Sequence, residues 1–326
     1  MKTLIYGGGA VGLGVASCLL HSGVHVDIIA RESTVSALRE LGLKRTGIFG
    51  EFHIIPERFG SYSSLEEISD LSSGPYDYIL VCTKSNDSQQ TAEDIYAHYQ
   101  FSGDKGKIVL FQNGWGNAEK FVSLFPPDRI YNARVITGFC RPHKNEVEVT
   151  VHADAIHLGS LFGNDISILE PLCRSIDQGG IPCEVVEEVA KDLWAKMLYN
   201  CALNPLGAIF NVPYGVLGKW PYSREIMEET IREIFRIMEL HGYRTHWDTA
   251  EEYIDIFYEK LLPPTEGHES STLQDIRARK RTEIDALSGA VVELAKKAGV
   301  NATYNNMLYN MVKFMEERLL SINENN

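Results

Sequence analysis

The chain has 326 residues, too many for one ordinary core, and its 44% hydrophobic content is ample for two domains of common size. Lys plus Arg number 31 against 44 Asp plus Glu, a formal net charge of −13, which excludes a general nucleic-acid or acidic-membrane binder. No apolar run of about 18 residues occurs, the first strand leaves no room for a signal peptide, and six scattered cysteines without a C-x-x-C pair read as reduced, packed thiols of a cytoplasmic protein.

In chain order, Lys2 to Tyr6 is β-prone, Gly7 to Gly9 is a turn, Val11 to His21 is helical, Gly23 stops the helix, and Val24 to Ala30 is a second strand. This is a βαβ unit. Glycines and β-branched residues between Gly42 and Pro56 predict a hairpin, and further strands are expected at Tyr76 to Cys82, Lys107 to Phe111 and Arg129 to Ile136. The alternating stretch Glu146 to Gly159 predicts antiparallel structure at the sheet's edge. Past Ile181-Pro-Cys-Glu-Val-Val the pattern changes to long helices, about Val189–Phe210, Ser223–His241, Ala250–Leu261, Ser271–Ala298 and Asn305–Leu320, followed by a polar tail from Ser321 expected to fray. The fold class is therefore α/β: a doubly wound, mostly parallel sheet over residues 1–187 and an all-α domain over 188–326.

Gly7-Gly8-Gly9-Ala10-Val11-Gly12 satisfies G-x-G-x-x-G between a strand and a helix, where glycines let the backbone approach a pyrophosphate and the helix N-terminus attracts the anion. An NAD site would place Asp or Glu at the end of the second strand. Here Ala30 stands there and Arg31 follows, which favours the 2′-phosphate of NADP(H). Two later strand ends carry polar groups toward the ligand-binding edge, Lys84 after Val81-Cys-Thr and Asn113 in Gln-Asn-Gly-Trp-Gly.

In the helical half, Lys196, Asn200 and Asn204 recur every fourth residue of an apolar run, so they drift only about 80° around the axis and share one face. A buried polar stripe costs stability unless it holds something, and this one suits a polar small molecule with the lysine giving or taking a proton. Pro205 disfavours helical geometry at Asn204 and predicts a kink there. Ser271 opens Ser-Thr-Leu-Gln, which is also a capping box, and Glu283 lies about three turns on in the same expected helix, among arginines that could pair with it. The histidines show no metal-ligand spacing, so no metal site is expected.

Gly7-x-Gly9-x-x-Gly12, Val81-Cys-Thr-Lys84, Gln112-Asn113-Gly114-x-Gly116, Trp194-x-Lys196-x-x-x-Asn200-x-x-x-Asn204-Pro205 and Ser271-x-Leu-Gln-Asp275 with Thr282-Glu283-Ile-Asp285, in that order, resemble the 2-dehydropantoate 2-reductase (ketopantoate reductase) family. The resemblance spans nearly the whole chain. It implies an N-terminal Rossmann domain, a C-terminal domain like that of 6-phosphogluconate dehydrogenase, and an active site in the cleft between them. It also implies NADPH-dependent reduction of 2-dehydropantoate to (R)-pantoate, a step toward pantothenate and coenzyme A. By the same resemblance Lys196 is the general acid, Glu283 the active-site glutamate, and Asn200, Asn204 and Ser271 substrate contacts. Lys84 and Asn113 would lie near the nicotinamide ribose and substrate, and Arg31 at the 2′-phosphate. The sequence departs from the commonest pattern at Val216, where many relatives carry glutamate, and over Tyr243 to Pro264, which has no counterpart. A paralogue acting on another branched or aromatic 2-oxo acid is the alternative. A non-catalytic NADP(H) sensor would have lost the proton donor, whereas Lys196 and Glu283 are both present. The expected partner is a small 2-oxo acid, with neither nucleic acid nor membrane, and the apolar C-terminal helices are suited to a homodimer.

Overall fold

The structure, a computed structural model, describes residues 1–68, 75–98 and 106–324. The chain packs as two compact units: Met1–Gln112 with Asn117–Val189, and Asn113–Gly116 with Ala190–Asn326. The expected boundary at 187/188 thus misses one feature, the four residues Asn113–Gly116 that join the helical unit.

The first unit contains β1 (Lys2–Tyr6), α1 (Ala10–His21), β2 (His25–Ile29), α2 (Glu32–Leu41), β3 (Leu43–Gly47), β4 (Phe52–Ile54), β5 (Gly60–Tyr62) and β6 (Tyr78–Val81). It continues with α3 (Ser88–Ala97), β7 (Lys107–Leu110), α4 (Asn117–Val122), β8 (Ile130–Arg134), β9 (Thr137–Cys140), β10 (Glu146–His152), β11 (Ile156–Gly159), α5 (Glu170–Gln178) and β12 (Cys183–Val185). Eight strands form the main sheet in the order β12-β11-β8-β7-β6-β1-β2-β5. All neighbours are parallel except β8 with β11. Burial on both faces explains why inner strands carry apolar runs such as Tyr78-Ile79-Leu80-Val81 and Ile108-Val109-Leu110 rather than alternation. Successive side chains still take opposite faces. Ile5, Ile28, Leu80 and Val109 join one core with α1, α2 and α5, while Leu4, Ile29, Ile79 and Ile108 join another with α3 and α4. Strand order reverses direction at β1, so the carboxyl ends of β1 and β6 flank a topological switch point.

The expected hairpin is present as antiparallel β3 and β4. The stretch Glu146 to Gly159 pairs antiparallel with β9 and β8 as expected, but it does not form the sheet's edge. It splits into β10, which runs parallel to β3 and antiparallel to β9 in a separate four-stranded sheet, and β11, which pairs with β8. The edge belongs to β12, because β11 has a free side that accepts this short strand in parallel. All six cysteines are free, and Cys140 is exposed rather than packed.

The second unit is built from α6 (Val189–Phe210), α7 (Tyr214–Lys219), α8 (Pro221–Leu240), α9 (Ala250–Ile256), α10 (Ser271–Arg277), α11 (Ser288–Lys297) and α12 (Thr303–Glu324). Helix α6 spans Val189–Phe210 as expected and carries Pro205 inside it. The predicted helix Ser271–Ala298 is two helices. Arg279 takes a positive φ of 52°, and the chain then makes a single 3₁₀ turn at Ile284–Ala286 before α11. Helix α12 also covers the start of the expected frayed tail, whose last two residues lie outside the described residues. Among the described residues no helix is long and apolar enough to cross a membrane.

The N-terminus of α12 is held by Glu233 of α8, which is 7% exposed. Its carboxylate accepts the Tyr304 N–H at 3.2 Å, and the Asn305 N–H and Nδ2 at 2.8 Å each. Glu233→Ala strands these donors, and a loss of about 2–4 kcal/mol in stability is expected from urea unfolding. Glu233→Gln, which keeps acceptor oxygens, should recover part of it. An unchanged midpoint for Glu233→Ala would show that α12 does not depend on this cap.

Candidate active site

The glycine turn is shaped by contacts that no side chain could share. Gly7 has φ +117°, and a Cβ there would lie 2.6 Å from the Thr83 nitrogen. A Cβ on Gly8 would lie 2.5 Å from the Ala30 Cβ, and one on Gly12 would lie 2.0 Å from the Gly7 carbonyl oxygen. The N–H groups of Gly7 and Gly8 both donate to Ile29 O at 3.0 Å, which pins the turn across β1 and β2. Gly9 is different, because its nearest neighbour on the Cβ side is Cys82 O at 4.0 Å. It leads into α1, whose N-terminus has neither a side-chain cap nor an acidic residue in its first turn. The N–H groups of Ala10, Val11 and Gly12 begin that helix without intrahelical acceptors. Free space at Gly9 beside uncapped donors fits a dinucleotide pyrophosphate.

Ala30, at the end of β2, is 8% exposed and carries no acceptor. Arg31 follows as the exposed N-cap of α2. The structure adds a residue that the sequence gave no reason to single out. Arg141 Nη2 donates to Thr34 Oγ1 at 2.9 Å, and the Thr34 N–H donates to Arg31 O at 2.7 Å, so both arginines stand at the first turn of α2. Burial and the neighbouring Arg31 charge hold the Arg141 guanidinium below its ordinary pKa. Among the described residues no carboxylate pairs with either one. Lys84 is exposed just beyond β6. Gln112 staples the ends of β6 and β7, with Nε2 donating to Thr83 O at 3.1 Å and Lys84 O at 3.3 Å.

In the helical unit Lys196 and Asn200 are half-buried on α6, and Asn204 is 3% exposed. Lys196 Nζ donates to Asn113 Oδ1, and Asn113 Nδ2 donates to Glu283 Oε2 at 3.2 Å. One amide thus joins a cation to a carboxylate. Reversing the amide would set its N–H against an ammonium and its oxygen against a carboxylate, so the charges fix its orientation. Glu283 does not sit on a helix as predicted. Its backbone, φ −97° and ψ 23°, lies in the bridge region just before the 3₁₀ turn.

Asn113 reaches this cluster because its segment is clipped to the same unit. Gly114 takes φ +90°, where a Cβ would lie 2.4 Å from Ala286 O, and the Trp115 N–H donates to that oxygen at 2.8 Å. The Trp115 ring packs against Trp194 and Tyr243, with centroids 4.6 and 4.9 Å away. Tyr243 thereby gives the start of the stretch Tyr243 to Pro264 a structural task. Asn204 spends one side of its amide internally, accepting from Tyr214 Oη at 2.6 Å. Asn200 makes no hydrogen bond through its amide among the described residues. Ser271 is exposed at the start of α10 and shares no hydrogen bond with Lys196, Asn113 or Glu283. The cap expected of it is supplied by Ser270, which is fully buried and accepts from the Leu273 N–H at 3.0 Å. Elsewhere Glu66, Asp94 and His98 bring their ligand atoms within 4.8 Å of one another, but Tyr6 Oη donates to Asp94 and His98 lies 3.2 Å from Glu66, so they hold each other.

A parallel sheet with a fitted glycine turn, and a helical unit with a lysine, an amide and a glutamate in sequence, define a nicotinamide-dependent oxidoreductase. The family model described as "Ketopantoate reductase PanE/ApbA" matches residues 3–162, and that described as "Ketopantoate reductase PanE/ApbA C terminal" matches residues 188–316. The 2-dehydropantoate 2-reductase of Aquifex aeolicus (strain VF5) is 36% identical over 97% of both chains. The crystal structure of a PanE/ApbA family ketopantoate reductase from Ralstonia eutropha JMP134 matches with TM-score 0.84 and 26% identity, covering 98% of this chain and 100% of that one. A ternary structure of D-mandelate dehydrogenase with NADH and anilino(oxo)acetate shares the fold, with TM-score 0.85 and 22% identity, over 98% and 99% of the two chains. With both halves matched and a relative this similar end to end, the chain belongs to the ketopantoate reductase family.

Proposed function

We propose that this protein reduces 2-dehydropantoate to (R)-pantoate with NADPH, with Lys196 as the general acid. The observation that carries the reading is the bond sequence from Lys196 through Asn113 to Glu283. The nicotinamide, when bound, supplies the hydride. Addition at the C2 carbonyl leaves negative charge on its oxygen, which the Lys196 ammonium stabilises electrostatically and neutralises by giving up a proton from Nζ. Asn113 holds that ammonium at a fixed azimuth through Oδ1, and Glu283 holds Asn113, so the donor is oriented before substrate arrives. The Asn200 amide and the remaining N–H groups of Asn204 are donors suited to the oxygens of a hydroxylated 2-oxo acid. Ser271 is assigned to the substrate on the family motif alone, and Lys84 to the cofactor. The preference for NADPH rests on Ala30 in place of an acid and on two arginines at α2 without carboxylate partners. Unbridged cysteines suit a reducing compartment such as the cytoplasm.

The test is to mix purified protein, NADPH and a panel of 2-oxo acids and to follow nicotinamide absorbance. 2-Dehydropantoate is expected to be turned over with the highest kcat/KM. Efficient turnover of another branched or aromatic 2-oxo acid, with none of 2-dehydropantoate, would assign the protein to the paralogous activity. No turnover of any acid would sink both.

A further inference from the structure

Thr282, next to Glu283, is fully buried in a stretch with no regular secondary structure. Its backbone N–H and hydroxyl both donate to Glu316 Oε1, at 2.6 and 2.5 Å. The same hydroxyl oxygen accepts the Ile284 N–H at 3.2 Å, so one side chain brackets Glu283 from both sides. Glu316 lies on α12 and is 4% exposed. Its other oxygen is 2.9 Å from Lys313 Nζ. Burial works to lower the Lys313 pKa, but the Glu316 and Asp285 carboxylates outweigh it and hold it above the ordinary value. Lys313 also reaches Asp285 at 3.3 Å, and Tyr309 Oη donates to Asp285 at 2.9 Å. Tyr309, Lys313 and Glu316 follow the spacing of one helical face, so α12 grips the loop on both sides of Glu283.

Burying a carboxylate is costly unless it is paired, and apolar packing generally stabilises a fold at least as well. What an apolar residue could not do is accept two bonds from Thr282. The loop has no ladder and only the single 3₁₀ turn at Ile284–Ala286 of its own to fix it, and its Ala286 carbonyl also receives the Trp115 N–H. A shift at Thr282 would therefore pass to Glu283, and from there to Asn113 and Lys196.

We propose that Glu316 is a positioning residue, which acts on the reduction through Thr282 and Glu283 without touching substrate. This rests on the proposed role of Glu283 and Lys196. Glu316→Ala should lower kcat by about tenfold or more, the usual cost of removing support from behind a catalytic group, and leave NADPH affinity unchanged. Glu316→Gln keeps the acceptor oxygen and should restore kcat to within about threefold of wild type. In a Glu283→Gln background the further change Glu316→Ala should cost less than about twofold, since residues acting as a unit are not additive. Thr282→Val keeps the backbone bond and loses the hydroxyl. It should show an intermediate loss, likewise absent in the Glu283→Gln background, and it carries the test if Glu316→Ala does not fold. Equal factors in both backgrounds, or an unchanged kcat, would overturn the positioning role while leaving the catalytic reading in place. A wild-type kcat for Glu283→Gln itself would instead overturn the role given to Glu283, and this proposal with it.

Discussion

Lys196→Ala is expected to lower kcat for 2-oxo acid reduction by roughly two or more orders of magnitude, the usual size of a lost general acid, with NADPH binding nearly unchanged. The selectivity follows from where the side chain's bonds go. Lys196 is tied to Asn113 within the helical unit, while the glycine turn and Arg31 belong to the other unit. Truncation removes the stabilising charge and the proton together, and takes the ammonium away from the Asn113 amide oxygen. Lys196→Arg should rescue little. It restores the charge, but a guanidinium does not release its proton at working pH and its planar fork does not match a single amide oxygen. Steady-state kinetics with a separate cofactor titration checks both halves of the expectation. A near-normal kcat for Lys196→Ala would remove it from the acid's role.

Arg31→Ala should weaken NADPH about tenfold or more and NADH by less than about twofold, because only the 2′-phosphate forms charge-assisted bonds with a guanidinium. Arg141→Ala should discriminate in the same direction. Two like charges at one helix turn repel each other, and among the described residues no carboxylate forms an ion pair with either to relieve the repulsion. An incoming phosphate would. The discrimination should weaken with added salt as screening increases. Titrating nicotinamide fluorescence with each variant gives the ratio directly. Equal losses for the two cofactors would overturn the assignment to NADPH.

The parts that sequence made legible are those whose constraint is local. The turn at Gly7 to Gly12 shows because its glycines stand at fixed spacing between a strand and a helix, and α6 shows because its 22 residues carry one polar stripe at helical spacing in mostly apolar surroundings. Lys196 and Glu283 could be picked out by residue type and motif, but not the loop that holds Glu283. A run rich in helix formers conceals the positive φ at Arg279, where the chain closes α10 with the Lys280 N–H donating to Asp275 O at 2.9 Å. Arg141 was hidden for another reason. It docks on Thr34 from 107 residues away, and a solitary arginine after a strand reads as a surface charge. Glu316 reads the same way, as a solvated glutamate among Glu317 and Arg318, until Thr282 is seen against it. The shift of the cap from Ser271 to Ser270 shows the ordinary limit, since neighbouring serines are indistinguishable until the backbone is known.

The four residues Asn113–Gly116 sit in the half of the gene that encodes the sheet, yet pack with the helices. Recombination at residue 189 alone would therefore join one parent's lysine and glutamate to another parent's amide and tryptophan. A chimera that respects the fold must carry Asn113–Gly116 along with Ala190–Asn326, exchanging two separate stretches of coding sequence as a single module.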